Sequence, residues 1–422
     1  MPKPYYASVP QNAGDQAQLR KVNLTAVLTR LRQKMPISRA VLADLTGLNK
    51  ATITRFIREL MEYGFVREVG MRSSVAGRPS ILLELDPQAG YIIGVRLDID
   101  YSAVILTNFT AEIIWRNEIK HTPEDGQEVI QNNLLALIHE AIDHAPVDGR
   151  PILGLGMSVP GLVDVDAGKL LFAPNLGWQN VLMRDWLRKH FDLPIYVDNE
   201  ANLAALGEAY FGAARDCDNV LYINITSGVG AGIVLHQEIL TGVTGIAGEV
   251  GHMTVDPRGP RCKCGNQGCW EAYVSAPAIF RRIRERIAVG EVSVLDDEML
   301  AHFSRLKVPT VVEAAQAGDP VAASVLRETS TYIGIGLANL INVLNPQRVV
   351  LGGYLSPAYP AMLEEIKAVV RDRALKWAWE AAEIVIAQYG SDASLMGAIA
   401  TIYNHVLSFP VETLALSGKA VK

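Results

Sequence analysis

Residues 91–108 read YIIGVRLDIDYSAVILTN. Two apolar segments flank a short polar break, which predicts a strand hairpin; a third strand, AEIIWRNEI (111–119), completes a meander. A helix is expected next, at about 127–144. The order then restarts at 219, with strands NVLYINI (219–225) and GAGIVLHQ (230–237) and, later, the helical run AASVLRETSTYIGIGLANLINVLN (322–345). Two such halves predict an α/β fold of two lobes with a cleft between them. The glycine-rich turns SVPGLVD (158–164) and TSGVGAG (226–232) follow strands, where open α/β sheets place ligand sites.

At 422 residues the chain exceeds one ordinary core and is expected to divide into domains. Its net charge of −6 is unevenly spread. Residues 1–80 carry 13 Lys/Arg against 5 Asp/Glu, leaving 26 against 40 in the remainder, so a module of +8 precedes a body of −14. That asymmetry fits a basic nucleic-acid-binding segment attached to an acidic soluble body. Neither a membrane-length apolar run nor the apolar centre of a signal peptide is present, so a cytoplasmic protein with no membrane partner is expected.

In the basic segment, Val22, Leu24, Val27, Leu28 and Leu31 fall on one helical stripe between 20 and 34. A Ser38 cap opens a second helix, RAVLADLT, that stops at Gly47. Asn49 caps a third, whose Ile53, Phe56, Ile57, Leu60 and Met61 form a core face. Lys50, Ala51, Arg55 and Arg58 are left outward, with Thr52 and Thr54 at the margins. FVREV (65–69), a turn region GMRSSVAGRP (70–79) and SILLEL (80–85) read as a two-stranded wing. The whole is a winged helix-turn-helix. Its outer cations lie on the helix that such motifs insert into the major groove, which a mere packing module would not require. Arg55 suits a guanine edge and Ala51 a thymine methyl group, while Lys50 and Arg58 suit phosphates. Arg78, beside Pro79, is a candidate for a narrow minor groove.

Three of the four cysteines cluster in GHMTVDPRGPRCKCGNQGCWE (251–271), which argues for a metal site rather than a disulfide framework. With SVPGLVD, VDNEANLAALGEAYFGAA (197–214), TSGVGAGIV (226–234), NPQRVVLGGYLS (345–356) and the helix-turn-helix segment 37–66, this stretch resembles the ROK family of repressors, open reading frames and sugar kinases. The resemblance spans nearly the whole chain and is to the repressor branch, with its xylose and N-acetylglucosamine repressors. It implies a winged helix-turn-helix over 1–86, then an actin-like (ribonuclease H-like) two-lobed sugar-kinase-type domain over 87–422, with a zinc knuckle at 252–269.

His252, Cys262, Cys264 and Cys269 supply one imidazole and three thiolates, a closed tetrahedral set suited to structural zinc, with no open position for a catalytic water. Glu249 and Glu271 flank that set, and either could otherwise be an ordinary surface acid. The resemblance makes them sugar-hydroxyl acceptors and lets the ring of His252 touch the sugar. It also places Asn199 on a sugar-binding asparagine and Glu200 where family kinases carry the catalytic aspartate. Gly161 and Asn175, in PNLGW (174–178), are further pocket candidates, although Asn175 alone reads equally well as a turn former.

The chain departs from the kinase pattern twice. Glu200 is one methylene longer than the expected base, which misaligns phosphoryl transfer. Family kinases open the domain with a D-x-G-G-T phosphate loop; here RLDIDYS (96–102) puts Arg96 near the acidic position and Asp98, Ile99 and Asp100 in place of the glycines and threonine. The expectation is therefore a sugar-responsive DNA-binding regulator, not an enzyme: a repressor of carbohydrate genes acting on a palindromic operator as a homodimer or dimer of dimers. The alternatives are an active sugar kinase with a fused DNA-binding domain, or a regulator controlled by a protein partner of sugar transport.

Overall fold

The computed structural model describes residues 13–74, 77–295 and 307–408. In the N-terminal module, helices α1 (Ala13–Lys34), α2 (Arg39–Thr46) and α3 (Lys50–Glu62) pack with strands β1 (Ile37–Ser38), β2 (Val66–Ser74) and β3 (Gly77–Leu85) in the order β1-β3-β2. The caps act as their chemistry requires. The Ser38 hydroxyl accepts from the Val41 N–H, Gly47 turns left-handed at φ 70°, and the Asn49 side chain accepts from the Thr52 N–H. The wing strands pair as far as Ser74 opposite Gly77, so most of the predicted turn region 70–79 is strand.

Lobe I is a five-stranded sheet of β4 (Tyr91–Leu97), β5 (Tyr101–Asn108), β6 (Ile113–Lys120), β7 (Ile152–Val159) and β11 (Ile195–Asn199), in the order β11-β7-β4-β5-β6. Helix α4 (Gly126–Asp143) follows the hairpins. A small sheet, β8 (Leu162–Asp164), β9 (Lys169–Ala173) and β10 (Trp178–Val181), leads to α5 (Met183–Arg188). Helix α6 (Glu200–Tyr210) then leaves the lobe.

Lobe II repeats the plan with β12 (Val220–Ile225), β13 (Val229–Leu235), β14 (Glu238–Ile239), β15 (Arg348–Gly353) and β16 (Glu383–Ile386), in the order β14-β13-β12-β15-β16. In each sheet the first strand pairs antiparallel with the second and parallel with the fourth, which bears out the duplication read from the sequence. Helices α7 (Glu271–Val274), α8 (Ala276–Ala288), α9 (Val308–Gln316), α10 (Pro320–Leu344), α11 (Tyr359–Arg373) and α12 (Lys376–Ala381) belong to this half. Helix α13 (Ala393–Ser408) closes the described chain.

Every residue of β4 is buried because both sheet faces are covered. Ile93 and Val95 pack with Leu134 and Ile138 of α4 on one face, and Ile92 with Ile399 and Tyr403 of α13 on the other. The two helices between the lobes are exchanged. Helix α6 follows a lobe I strand yet packs on β12 and β13, whereas α13 follows β16 of lobe II yet packs on β4 and β7. Glycines bring the pair into backbone contact: a Cβ on Gly397 would lie 1.6 Å from the Leu203 carbonyl oxygen, and one on Gly207 2.3 Å from that of Ala393. The N-terminal module shares this packing, since Leu28, Leu31, Phe56 and Phe65 lie in one continuous core with Phe109 and Tyr403. Among the described residues no helix is long and apolar enough to cross a membrane.

Candidate functional site: a cationic helix and an interlobe cleft

Helix α3 buries Ile53, Phe56, Ile57 and Leu60 and exposes Lys50, Ala51, Thr54, Arg55 and Arg58, with Thr52 half-buried. Lys50 and Arg58 have no carboxylate partner among the described residues, whereas Arg20, Arg39 and Arg67 are paired with Glu59, Glu68 and Glu84. The outward cations of this helix are thus free to meet an anionic surface. The Thr54 hydroxyl donates to the Lys50 carbonyl at 2.8 Å, so Thr54 contributes chiefly its methyl group outward. Arg78 lies in β3 by its backbone, and its side chain falls outside the described residues.

The cleft is built around the start of α6. Asn199 ends β11 and caps α6: its Oδ1 accepts from the Ala201 N–H at 2.7 Å and its Nδ2 donates to the Gly161 carbonyl at 2.6 Å. Gly161 turns at φ 93°, and a Cβ there would lie 2.2 Å from the Phe172 carbonyl oxygen, so its glycine serves close packing on β9. Asn175 is exposed in the turn between β9 and β10. Neighbouring Asp198, unremarked in the sequence, is buried; desolvation lifts its carboxyl to about 6 against hydrogen bonds from Asn202 and the Asn199 N–H.

Glu200 faces Asn224 of lobe II at 3.4 Å. Burial, and after it the carboxylate of Asp98, push its pKa up to about 7, while Arg96 pulls the other way. Arg96 and Asp98 form a buried ion pair where the kinase pattern has its phosphate loop. Arg96 also donates to the Ser391 carbonyl, in the single turn Gly390–Asp392 that joins β16 to α13. The adjoining cavity, bordered by Glu200, Thr226, Tyr354 and Ser394, has a volume of about 20 Å³. That is room for about one water.

The cysteine segment forms a knuckle. The ligand atoms of His252, Cys262, Cys264 and Cys269 all lie within 4.8 Å of one another. Cys264 Sγ is 3.7 Å from Cys269 Sγ, and Cys262 Sγ is 3.8 Å from His252 Nδ1. Ligand bonds of about 2.0–2.3 Å in a tetrahedron give edges of roughly 3.5–3.8 Å, so the group is sized for a metal such as zinc. Nδ1 turns toward the thiols, leaving Nε2 3.8 Å from Glu249. Glu271 accepts from the Val229 N–H at 3.0 Å, tying the knuckle to β13. Strand β13 also packs on α6, where a Cβ on Gly232 would lie 2.3 Å from the Ala201 carbonyl oxygen. One wall therefore carries Glu271 on one side and the start of α6 on the other. Trp270, fully buried, anchors the knuckle from below: its indole donates to the Tyr332 carbonyl at 2.7 Å and its ring lies against Gly336 of α10.

The ROK family model matches residues 92–404. A xylose repressor of Caldicellulosiruptor bescii is 34% identical over 94% of this chain and 99% of its own. The crystal structure of a ROK family transcriptional regulator, a homologue of the E. coli Mlc protein, superposes with a TM-score of 0.77 at 30% identity, covering 92% of this chain and 98% of that one. A ROK glucokinase from Streptomyces griseus, solved with glucose and AMPPNP, matches 74% of this chain and 99% of its own with a TM-score of 0.64 at 31% identity. With the family model spanning both lobes and repressors matching end to end, the chain belongs to the ROK family, in its repressor branch.

Proposed function

We propose that this protein is a sugar-responsive transcriptional repressor, with residues 1–86 reading DNA and 87–422 binding sugar without phosphorylating it. The observation that carries this reading is the Arg96–Asp98 ion pair, which occupies the phosphate position of a kinase-type cleft, in a molecule whose α3 presents unpaired cations. A phosphate brought there would meet the carboxylates of Asp98 and Glu200. Xylose is the first sugar to test, because relatives matching the chain end to end are xylose repressors. Asn199, Glu200, Glu249, His252 and Glu271 are its proposed hydroxyl partners, with Gly161 shaping the turn and Asn175 at the rim.

Asn199 already uses its amide to cap α6 and to brace Gly161, so a hydroxyl would take the second lone pair of its Oδ1. His252, Cys262, Cys264 and Cys269 would hold one zinc ion as a brace beneath Glu249 and Glu271; four protein ligands leave the metal no catalytic role. On DNA, Arg55 and Ala51 would read bases, Lys50, Thr52, Thr54 and Arg58 would set register, and Arg78 would serve the wing. A homodimer in the cytoplasm, matching the two halves of a palindromic operator, completes the reading.

The test is phosphorylated-sugar formation from ATP over a panel of pentoses, hexoses and amino sugars, alongside thermal shift with the same sugars. Stabilisation by a sugar with no phosphorylated product is expected. Sugar-dependent turnover would instead establish a kinase with a fused DNA-binding module.

A further inference from the structure

Helix α6 begins in the cleft and ends on the DNA-binding module. Its first residues are Asn199, the cap, and Glu200; about 16 Å further on, by helical rise, it ends at Tyr210. There the Arg32 guanidinium of α1 donates to the Tyr210 carbonyl at 2.7 Å and lies 3.9 Å over the Tyr210 ring. The carbonyl is one that a helix end leaves without an intrahelical partner, and the ring attracts a cation.

Beside this joint runs an unbroken aromatic line. Tyr210 and Phe211 meet Tyr403 of α13 edge-on, with centroids 6.3 and 5.7 Å away. Tyr403 stacks on Phe109 at 5.0 Å, and Phe109 meets Phe65 at 5.3 Å. Phe65 is fixed to the recognition helix, since its N–H donates to the Leu60 carbonyl at 2.9 Å. All these rings except Tyr210 and Phe211 are fully buried, and densely packed interiors transmit displacement instead of absorbing it. Glu208, buried in the same helix, accepts from the Ala213 and Tyr389 N–H groups and so holds the end of α6 to the chain leading into α13. The cleft end is held differently. It meets lobe II through the 3.4 Å Glu200–Asn224 contact and through packing on β12 and β13.

We infer that α6 is the rod that couples the cleft to the recognition helix, with Arg32 on Tyr210 as its joint and the line Tyr403–Phe109–Phe65 as its bearing on α3. A ligand that shifts Asn199 and Glu200 tilts α6 about its fixed end. The tilt reaches α1 through Arg32 and α3 through Phe65. This rests on the reading of the cleft as a sugar site, and it adds the residues through which occupancy becomes a change in DNA affinity. Arg32 is a positioning residue: it meets neither sugar nor operator.

The experiment uses the full chain and an operator duplex selected from a random library. Operator affinity is measured by anisotropy with and without D-xylose for the wild type, Arg32→Met and Phe109→Leu; Tyr210→Leu, which keeps the carbonyl, stands in for either variant that does not fold. The sugar-induced change in operator Kd is expected to shrink at least about fivefold in the variants, while xylose affinity of the DNA-free protein stays within about twofold. Hydrogen exchange supplies an arm that needs no sugar, because coupling is reciprocal: operator binding should slow exchange across 198–211 in the wild type and not in Arg32→Met. Wild-type sugar response together with wild-type exchange response in the variants would overturn the inference. If xylose moves nothing in the wild type but exchange at 198–211 answers operator through Arg32, the rod stands and the sugar assignment falls.

Discussion

Replacing Arg96 by Met keeps the length of the side chain and removes its charge. Asp98 is 2% exposed and would lose its ion-pair partner, and Glu200 would lose the one cation that opposes its rise in pKa. The Ser391 carbonyl would lose a charged donor as well. Breaking a buried pair from one side costs about 3–5 kcal/mol, because the remaining charge is left uncompensated. Arg96→Met/Asp98→Asn removes both charges and should recover most of that, leaving about 1–2 kcal/mol for the contact to Ser391. Urea unfolding of the three proteins at pH 7.5 reads both effects. A single variant within about 1 kcal/mol of wild type at pH 7.5, or a double variant no more stable than the single, would refute the claim that this pair is a buried, mutually dependent substitute for a phosphate site.

Purified protein should contain about one zinc per chain by metal analysis, and Cys264→Ser should lower both metal content and sugar affinity; full zinc loss with unchanged affinity would contradict the brace. Arg55→Ala should weaken a selected operator by about 1–3 kcal/mol and relax one base position, whereas Lys50→Ala should weaken all duplexes alike and reduce the salt slope, both read by anisotropy. Glu200 has a folded pKa of about 7 against an ordinary value of 4.5, so the folded protein binds the extra proton between those values and stability falls as pH rises through them. Glu200→Gln should remove part of that slope, leaving the part due to Asp198, and should stabilise the protein at pH 8 by about 1–3 kcal/mol in urea unfolding.

Much of the architecture is legible in local pattern. The fully apolar strand 91–97 reads as doubly covered, the caps Ser38 and Asn49 fall where predicted, and the helix expected at 127–144 forms over Gly126–Asp143. Local pattern fails where a partner is distant or the pairing is irregular. Val22 fits the stripe of α1 by spacing yet is 53% exposed, because the core beneath that helix begins only at Leu24. The glycine and serine content of 70–79 suggests a turn, while the wing strands extend over 70–74 and 77–79 with register shifts that admit such residues. Arg96 is visible in sequence as a lesion in the phosphate loop, but its hold on the Ser391 carbonyl is not: the two are 295 residues apart, and a backbone acceptor leaves no mark on residue type. The Arg32–Tyr210 joint is hidden for the same reason, 178 residues apart and again to a carbonyl. The metal group, in contrast, is local, and the spacing of its thiols nearly determines its geometry.

The proposed function joins the two ends of the molecule: sugar in the cleft changes the grip on DNA. Its most direct test is the anisotropy of a labelled operator duplex bound to the full chain, titrated with D-xylose and then with a panel of other sugars at fixed salt. At least one sugar is expected to shift operator Kd by about 5- to 150-fold, at concentrations that also stabilise the DNA-free protein. Sugars that stabilise the protein yet leave operator affinity unchanged would contradict it.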